Sequence, residues 1–180
     1  MDEYKPADSA SRAALKSNLM TGKRGLIMGV ANDRSIAWGI ANTLTAHGAE
    51  LAFTYQNEAM ERRVRPLAES IDSKIIVPCD VEDEESIKAA VDACADAWGS
   101  IDFVVHAVAY SDKNELKGRF LDTSRDNFHR TMEVSCYSFT ALARHAAPFM
   151  SNGGSMIALS FFGSTRVVPN YNVMGVAKAA

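Results

Sequence analysis

Tyr171 and Lys178 are the two residues of this sequence whose types and spacing best suit chemistry. They lie in the run YNVMGVAKAA, which would form a helix entered after Pro169. Seven residues at 3.6 per turn come within about 20° of two full turns, so both side chains would share one face about 10 Å apart. A phenol and a nearby ammonium can stabilise negative charge that develops on a substrate oxygen. An amphipathic helix with an interfacial tyrosine and a snorkelling lysine fits the same residues, so both interpretations remain open.

The elements that would position this pair alternate between strands and helices. Strands are predicted at 26–28, 50–55, 74–78, 101–107 and 155–159, with helices at 35–47, 58–70 and 84–98 and a largely helical segment at 123–150. This alternation predicts an α/β fold, a doubly wound parallel sheet whose ligand crevice lies beyond the carboxyl ends of the strands. Residues 22–180 are predicted to form one domain, and the polar residues 1–21 a mobile tail or at most a short frayed helix.

Composition restricts the class of protein. The chain has 180 residues, 47% of them hydrophobic and 23% charged, with a net charge of −3. This balance is that of a soluble globular protein, and it indicates neither a nucleic-acid nor a membrane partner. The N-terminus lacks the apolar region of a secretory signal, which favours a cytoplasmic location. The three cysteines and four histidines lack ligand spacing, so no metal site is predicted.

A nucleotide site is predicted after the first strand. Gly29 would end the strand in a tight turn, Ser35 could cap the following helix, and the small Ala37 and Gly39 would let that helix lie close to the sheet. The helix N-terminus would then offer unpaired amides to a pyrophosphate. Because the usual Gly-x-Gly-x-x-Gly is absent, a strand, turn and helix without a ligand fits this segment equally well.

Residues after the later strands predict the adenosine side of the same site. Gln56 follows the second strand, where an acidic residue would hold the ribose and an arginine would accept a 2′-phosphate. No basic residue occupies this strand end, which favours NAD(H) over NADP(H). Asp80 after the third strand could bind the adenine amino group or cap the next helix. His106 is expected to pack in the core rather than to act in catalysis.

In this order, the features resemble the short-chain dehydrogenase/reductase superfamily, and specifically its divergent branch, the enoyl-acyl carrier protein reductases. Three stretches are similar to that family almost word for word, namely 29–37, 50–57 and 169–178. The wider superfamily uses Tyr-x-x-x-Lys and a serine thirteen residues before the tyrosine, but Gly175 and Ala158 occupy these positions here. The spacing therefore disfavours the alternative of a ketone or alcohol dehydrogenase.

The resemblance implies a role for each matching residue. Gly29, Ser35 and Ile36 would hold the pyrophosphate, Gln56 would meet the adenosine ribose, Asp80 and Val81 would bind the adenine, Val108 and Lys178 would contact the nicotinamide ribose, and Ser111 and Tyr171 would contact the substrate. The implied reaction is hydride transfer from NADH to C3 of a trans-2-enoyl thioester on acyl carrier protein, in bacterial fatty-acid synthesis. Tyr171 would stabilise the enolate before C2 is protonated. The family also suggests a homotetramer.

Two features depart from the family pattern. Phe161 stands where many bacterial members have a second tyrosine, so the proton relay would rest on Tyr171 and water. Phenylalanine also occurs there in mycobacterial-type members, but it keeps open the alternative of a non-catalytic dinucleotide-binding protein. The sequence ends at Ala180, inside the predicted catalytic helix, whereas the family continues. The C-terminal part of the sheet is therefore expected to be missing from this chain, and these residues alone are expected to be inactive.

Overall fold

A five-stranded parallel sheet forms the centre of the computed structural model, which describes residues 16–180. The strands are β1 (Arg24–Met28), β2 (Glu50–Tyr55), β3 (Ile75–Pro78), β4 (Phe103–His106) and β5 (Ser155–Ala158). They lie in the order β3-β2-β1-β4-β5, with every pairing parallel. This is the strand order of a doubly wound sheet, so the predicted α/β class is confirmed. The order reverses between β1 and β4, which makes their carboxyl ends the expected ligand crevice.

Within residues 16–180, six α-helices connect and cover the strands. They are α1 (Ile36–Ala46), α2 (Glu58–Ser70), α3 (Glu84–Trp98), α4 (Arg125–Met132), α5 (Ser138–Ala146) and α6 (Asn172–Ala179). The predicted helical segment 123–150 is divided, because a π-helical turn over Glu133–Tyr137 separates α4 from α5. Within the described residues, no helix is long and apolar enough to cross a membrane.

The apolar runs of the central strands reflect burial on both faces of the sheet. Leu26, Met28 and Val104 belong to one buried cluster, with residues of α3 and α5. Ile27 and Val105 belong to a second cluster on the opposite face, with residues of α1 and α2. Because successive strand residues point to opposite faces, a strand covered on both sides needs a continuous apolar run. At the sheet edge, by contrast, Ile157 on β5 is 48% exposed.

The predicted N-terminal tail, residues 1–21, lies mostly outside the described residues. In its described part, the backbone N–H of Ser17 donates to the carbonyl of Ala46, and that of Met20 donates to the carbonyl of His47. Both acceptors lie at the C-terminal end of α1. These bonds attach the chain to the domain before residue 22, so the folded part begins earlier than the predicted boundary.

Candidate active site

A cavity of about 300 Å³ lies at the carboxyl ends of the first four strands. Its walls come from the segments that follow β1, β2, β3 and β4, together with residues of α2, α4 and the π-helical turn. Four of the predicted nucleotide-binding residues line it, namely Gly29, Gln56, Val81 and Val108. A concave site at the reversal of strand order is where doubly wound sheets bind ligands. The structure therefore brings these four residues together at a suitable cavity.

The backbone conformation at position 29, in the wall of this cavity, requires a glycine. Its φ is +91°, in the left-handed region that favours glycine. A Cβ at this position would overlap the carbonyl oxygen of Ala107, which follows β4. The absence of a side chain therefore lets the ends of β1 and β4 approach each other where a ligand would cross them.

Ser35 occupies the N-cap position of α1, but its side chain does not cap the helix. Its hydroxyl donates to the carbonyl of Asn32 at 2.7 Å and accepts the N–H of Ala31 at 3.4 Å. The prediction of a side-chain cap is therefore wrong, because this hydroxyl closes the preceding loop instead. The first amides of α1 receive no side-chain cap and remain available to an anion. The side chain of Ile36 is 71% exposed, which leaves its backbone N–H as the group that could contact a pyrophosphate.

The two small residues of α1 differ in their packing. Ala37 is buried against the sheet, as predicted. Gly39 is exposed, and a Cβ there would meet nothing within 4 Å. The prediction that Gly39 permits close packing on the sheet is therefore wrong.

Asp80 lies in the loop after β3, next to the cavity residue Val81. Its Oδ1 accepts the backbone N–H of Glu82 at 3.1 Å. The cap of α3 is supplied by Asp83, whose Oδ1 accepts the N–H of Glu85 at 3.1 Å. Of the two roles open to Asp80, helix capping is wrong, and adenine binding stays a prediction.

Tyr171 lies immediately before α6, which begins at Asn172, so the two-turn geometry predicted for Tyr171 and Lys178 within one helix does not apply. Its ring packs on Phe161, with ring centroids 4.8 Å apart. A Cβ on Gly163 would overlap the Tyr171 ring, so this glycine makes room for it. Burial raises the pKa of the phenol, which keeps it protonated. Among residues 16–180 the phenol hydroxyl has no hydrogen-bond partner, so its proton is available to a ligand.

Lys178 connects the ends of two strands at the edge of the cavity. Its Nζ donates to the carbonyl of Leu159, after β5, at 2.9 Å and to the carbonyl of Val108, after β4, at 3.4 Å. Burial lowers the pKa of this ammonium. Val108 itself lines the cavity, so the structure places Lys178 directly behind the cavity wall.

His106 is a buried residue at the end of β4. Its ring is 1% exposed, and Nε2 lies 2.8 Å from Oγ of Ser138. Since the Ser138 hydroxyl donates to the carbonyl of Val134 at 2.8 Å, the proton of the His106–Ser138 bond belongs to Nε2. Burial, followed by the charge of Lys178, lowers the pKa of His106 to about 4. The predicted core position is confirmed, and the imidazole is neutral.

Ser111, predicted to contact the acyl substrate, turns its hydroxyl toward α4. Its Oγ accepts a hydrogen bond from Oγ1 of Thr131 at 2.9 Å and lies 3.2 Å from Nδ2 of Asn127. These contacts anchor the segment after β4, and the substrate contact stays a prediction.

Sequence reasoning missed several residues of the cavity wall. The additional side chains include those of Met60, Cys79, Glu82, Tyr110 and Arg130. Burial raises the pKa of Cys79 to about 12, so this thiol lines the wall as a neutral group. No local pattern connects Glu82 with Arg130, which are 48 positions apart, so only the fold could identify the pair.

Comparison with known proteins agrees with this geometry. The family model described as "Enoyl-(Acyl carrier protein) reductase" matches residues 29–180. The chain is 64% identical over 164 residues to a Rhizobium meliloti protein named enoyl-[acyl-carrier-protein] reductase [NADH] 2, covering 91% of this chain and 61% of that protein. It is 49% identical to the Rickettsia felis protein named enoyl-[acyl-carrier-protein] reductase [NADH] FabI, covering 92% of this chain and 64% of that protein.

Solved structures extend the likeness to the fold. The enoyl-(acyl-carrier-protein) reductase of Anaplasma phagocytophilum in complex with NAD has a TM-score of 0.90 and 58% identity, covering 93% of this chain and 65% of that chain. The corresponding NADH enzyme of Aquifex aeolicus has a TM-score of 0.87 and 48% identity, covering 90% of this chain and 65% of that chain. The chain thus spans about three fifths of the length of the curated relatives named here. On this evidence the chain belongs to the enoyl-acyl carrier protein reductase family.

Proposed function

We propose that this chain carries the nucleotide site and the catalytic pair of an NADH-dependent enoyl-[acyl-carrier-protein] reductase of bacterial fatty-acid synthesis. The observation that carries the proposal is the position of Lys178 directly behind the wall of the nucleotide cavity. Its Nζ bonds to Val108 in the cavity wall. Tyr171, which lies immediately before α6 and lines a second cavity with Gly163 and Gly175, keeps its hydroxyl protonated. Bound NADH supplies the hydride for C3 of the enoyl thioester.

The cavity residues would hold the cofactor along its length. Gly29 and the uncapped start of α1 support binding of the pyrophosphate, because backbone amides there can face an anion. Gln56 supports an uncharged ribose, and with it NADH over NADPH, because it brings no cation for a 2′-phosphate. Asp80 and Val81 would form the adenine end. NADH also appears in the names of the relatives from Rhizobium meliloti and Rickettsia felis.

Lys178 would contact the nicotinamide ribose through its remaining N–H. An ammonium has three donors, and the carbonyls of Val108 and Leu159 take two of them. These two bonds fix the direction of the third, which could then bind a ribose hydroxyl. The ammonium charge would also favour the anion that forms on the substrate.

Tyr171 would donate its hydrogen bond to the thioester oxygen as the enolate forms. The bond strengthens as negative charge develops, so it stabilises the transition state more than the substrate. Phe161 packs on the Tyr171 ring and has no donor of its own. The phenol of Tyr171 alone would therefore donate a hydrogen bond to the enolate oxygen, and water would complete proton transfer to C2.

The proposal extends to partners and location. The substrate would be an enoyl chain on acyl carrier protein, with Ser111 at the acyl side. A homotetramer and a cytoplasmic location follow from the family resemblance alone.

Turnover of the protein, including any segment that follows Ala180, tests the proposed function. NADH oxidation is measured with crotonyl thioester, with acetoacetyl thioester as the ketone control and NADPH as the cofactor control. We expect oxidation of NADH with the enoyl substrate only. Reduction of the ketone alone would indicate a ketone reductase, and NADH binding without any turnover would indicate a non-catalytic dinucleotide-binding protein.

A further inference from the structure

Three side chains that the proposed mechanism does not use form a connected group in the cavity wall. Nε and Nη2 of Arg130 donate to the two carboxylate oxygens of Glu82, both at 2.9 Å. The guanidinium carbon of the same arginine lies 4.3 Å from the ring centroid of Tyr110. One planar group thus makes a two-pronged ion pair at its edge and a cation–π contact on its face. We refer to Glu82, Tyr110 and Arg130 as the arginine clamp.

The clamp joins segments that the sheet does not join. Glu82 follows β3, Tyr110 follows β4, and Arg130 belongs to α4. In the sheet, β3 and β4 are separated by β2 and β1, so no strand pairing connects their carboxyl ends. All three clamp residues line the nucleotide cavity. The clamp therefore spans the cavity between the two loops that the sheet leaves apart.

Tyr110 is also held from the buried side. Its backbone N–H donates to Oγ of Ser135, and its carbonyl accepts from the same hydroxyl, both at 3.0 Å. Ser135 is buried in the π-helical turn that separates α4 from α5. These bonds hold the backbone of Tyr110 in place. The Tyr110 ring, which contacts the Arg130 guanidinium, is therefore attached to an ordered segment rather than to a free surface loop.

The Glu82 side of the clamp adjoins the residues predicted to meet adenine. Hydrogen bonding to Glu82 is the main cause that raises the pKa of Arg130, and the carboxylate of Asp80 contributes to the same shift. Asp80 and its neighbour Val81 are the residues predicted to meet adenine. Because Glu82 follows them directly in the chain, a contact that fixes Glu82 also restricts this loop.

We propose that the arginine clamp positions the loop of Asp80 and Val81 for the adenosine half of the dinucleotide, with Arg130 as the positioning residue. This inference rests on the proposed function. A loop that is ordered before binding does not lose that freedom when the ligand arrives, so the clamp should improve affinity for the adenosine half. Neither Tyr171 nor Lys178 is among the residues that line this cavity, so the clamp should act on affinity rather than on the chemical step.

The test measures ADP-ribose and NADH affinity by calorimetry on the protein with any segment that follows Ala180. For Arg130→Met we expect both ligands to bind on the order of three- to ten-fold more weakly, since a partly exposed ion pair and a cation–π contact are lost together. The KM for NADH should rise by a similar factor while kcat is unchanged. Arg130→Lys keeps the charge but loses the planar fork, so it should weaken binding as well.

Arg119→Met is the matched control. Arg119 makes the same two-pronged pair with Asp122, at 2.9 and 2.8 Å, away from the nucleotide cavity. It should leave both affinities unchanged, and thermal unfolding should show that the variants remain folded. Glu82→Gln combined with Arg130→Met should weaken binding no more than Arg130→Met alone, because the two residues act as one unit.

Each outcome decides the inference. ADP-ribose affinity within two-fold of the parent in Arg130→Met, or an equal loss in Arg119→Met, would overturn the clamp and leave the proposed function intact. If Arg130→Met does not fold, the decision rests on Arg130→Lys, whose parent-like affinity would overturn the clamp in the same way. If the parent binds neither ADP-ribose nor NADH, both the proposed function and the clamp are wrong.

Discussion

Mild acid should destabilise the fold through His106. The ring lies between β4 and α5, donates to Ser138, packs near Phe139 and is close enough to Lys178 to respond to its charge. Burial, followed by the Lys178 charge, lowers its pKa from the ordinary 6.5 to about 4. A histidine with a lower pKa in the folded state binds protons more readily when the chain unfolds. The free energy of unfolding is therefore highest at neutral pH and falls as the pH drops below 6.5.

The size of this loss follows from the two pKa values. A difference of one unit between the pKa of a group in the folded state and its pKa in the unfolded state corresponds to about 1.4 kcal/mol. Between pH 7 and 5 the unfolded histidine becomes charged while the folded ring stays neutral, so about 2 kcal/mol of stability should be lost. The loss should reach about 3 kcal/mol near pH 4. Ordinary carboxylates titrate mainly below about pH 5, so they contribute little in the upper part of this window.

Urea unfolding at pH 7, 6 and 5 measures the effect, with His106→Gln as the test variant. The glutamine amide can donate to Ser138 from a similar position, but it cannot take up a proton in this range. We expect the variant to lose about 2 kcal/mol of the pH dependence, even if its stability at pH 7 is lower. His129→Gln, at an exposed position on α4, should behave as the parent does. An unchanged fall in stability between pH 7 and 5 in His106→Gln would show that His106 is not the source of the pH dependence.

The other predictions concern the candidate active site and the glycine at the end of β1. Lys178→Ala should weaken NADH binding by about 1.5–3 kcal/mol and reduce turnover, because the proposed charged partner of the ribose hydroxyls is lost; an unchanged dissociation constant by calorimetry would contradict the ribose role. Tyr171→Phe should leave NADH binding unchanged and lower kcat with crotonyl thioester, since its proposed hydrogen bond would be strongest to the enolate. If it weakened NADH binding as much as Lys178→Ala, the division of roles would be wrong. Gly29→Ala should lower the free energy of unfolding by at least about 1–3 kcal/mol, because the backbone is left-handed and the Ala107 carbonyl blocks a Cβ. Gly39→Ala is its control and should be stabilising by up to about 1 kcal/mol in the exposed helix, with both changes measured by urea unfolding.

The sequence predicted the regular elements well because local signals and burial agree. The strand Glu50–Tyr55 and the helix Glu58–Ser70 match their predicted bounds, and Gly99 ends α3 in the left-handed conformation. A strand covered on both faces must be apolar throughout, so its length is visible in the sequence. The preference for right-handed crossovers then favoured a doubly wound sheet, although the order of its strands was not predicted.

Features that depend on contacts between distant segments could not be predicted. The division of the segment 123–150 by a π-helical turn is accompanied by hydrogen bonds between Ser135 and Tyr110 and between His106 and Ser138. Nothing in the local pattern of 133–137 distinguishes this turn from an α-helix. The hydroxyl of Ser35 likewise donates to the backbone carbonyl of Asn32 in the preceding loop instead of capping α1. The residue type alone does not reveal that this acceptor is within reach.

The unusual spacing of Tyr171 and Lys178 has a physical explanation in the structure. The wider superfamily has its lysine four residues after the tyrosine, where this chain has Gly175. A Cβ on Gly175 would lie 3.0 Å from the carbonyl oxygen of Gly163, the same residue that makes room for the Tyr171 ring. The Cβ of a lysine at position 175 would therefore crowd the backbone of Gly163, the residue against which the Tyr171 ring packs. Placing it at 178 avoids this contact and still lets Nζ donate to the backbone carbonyls that follow β4 and β5, so the tyrosine and the lysine are held by different segments.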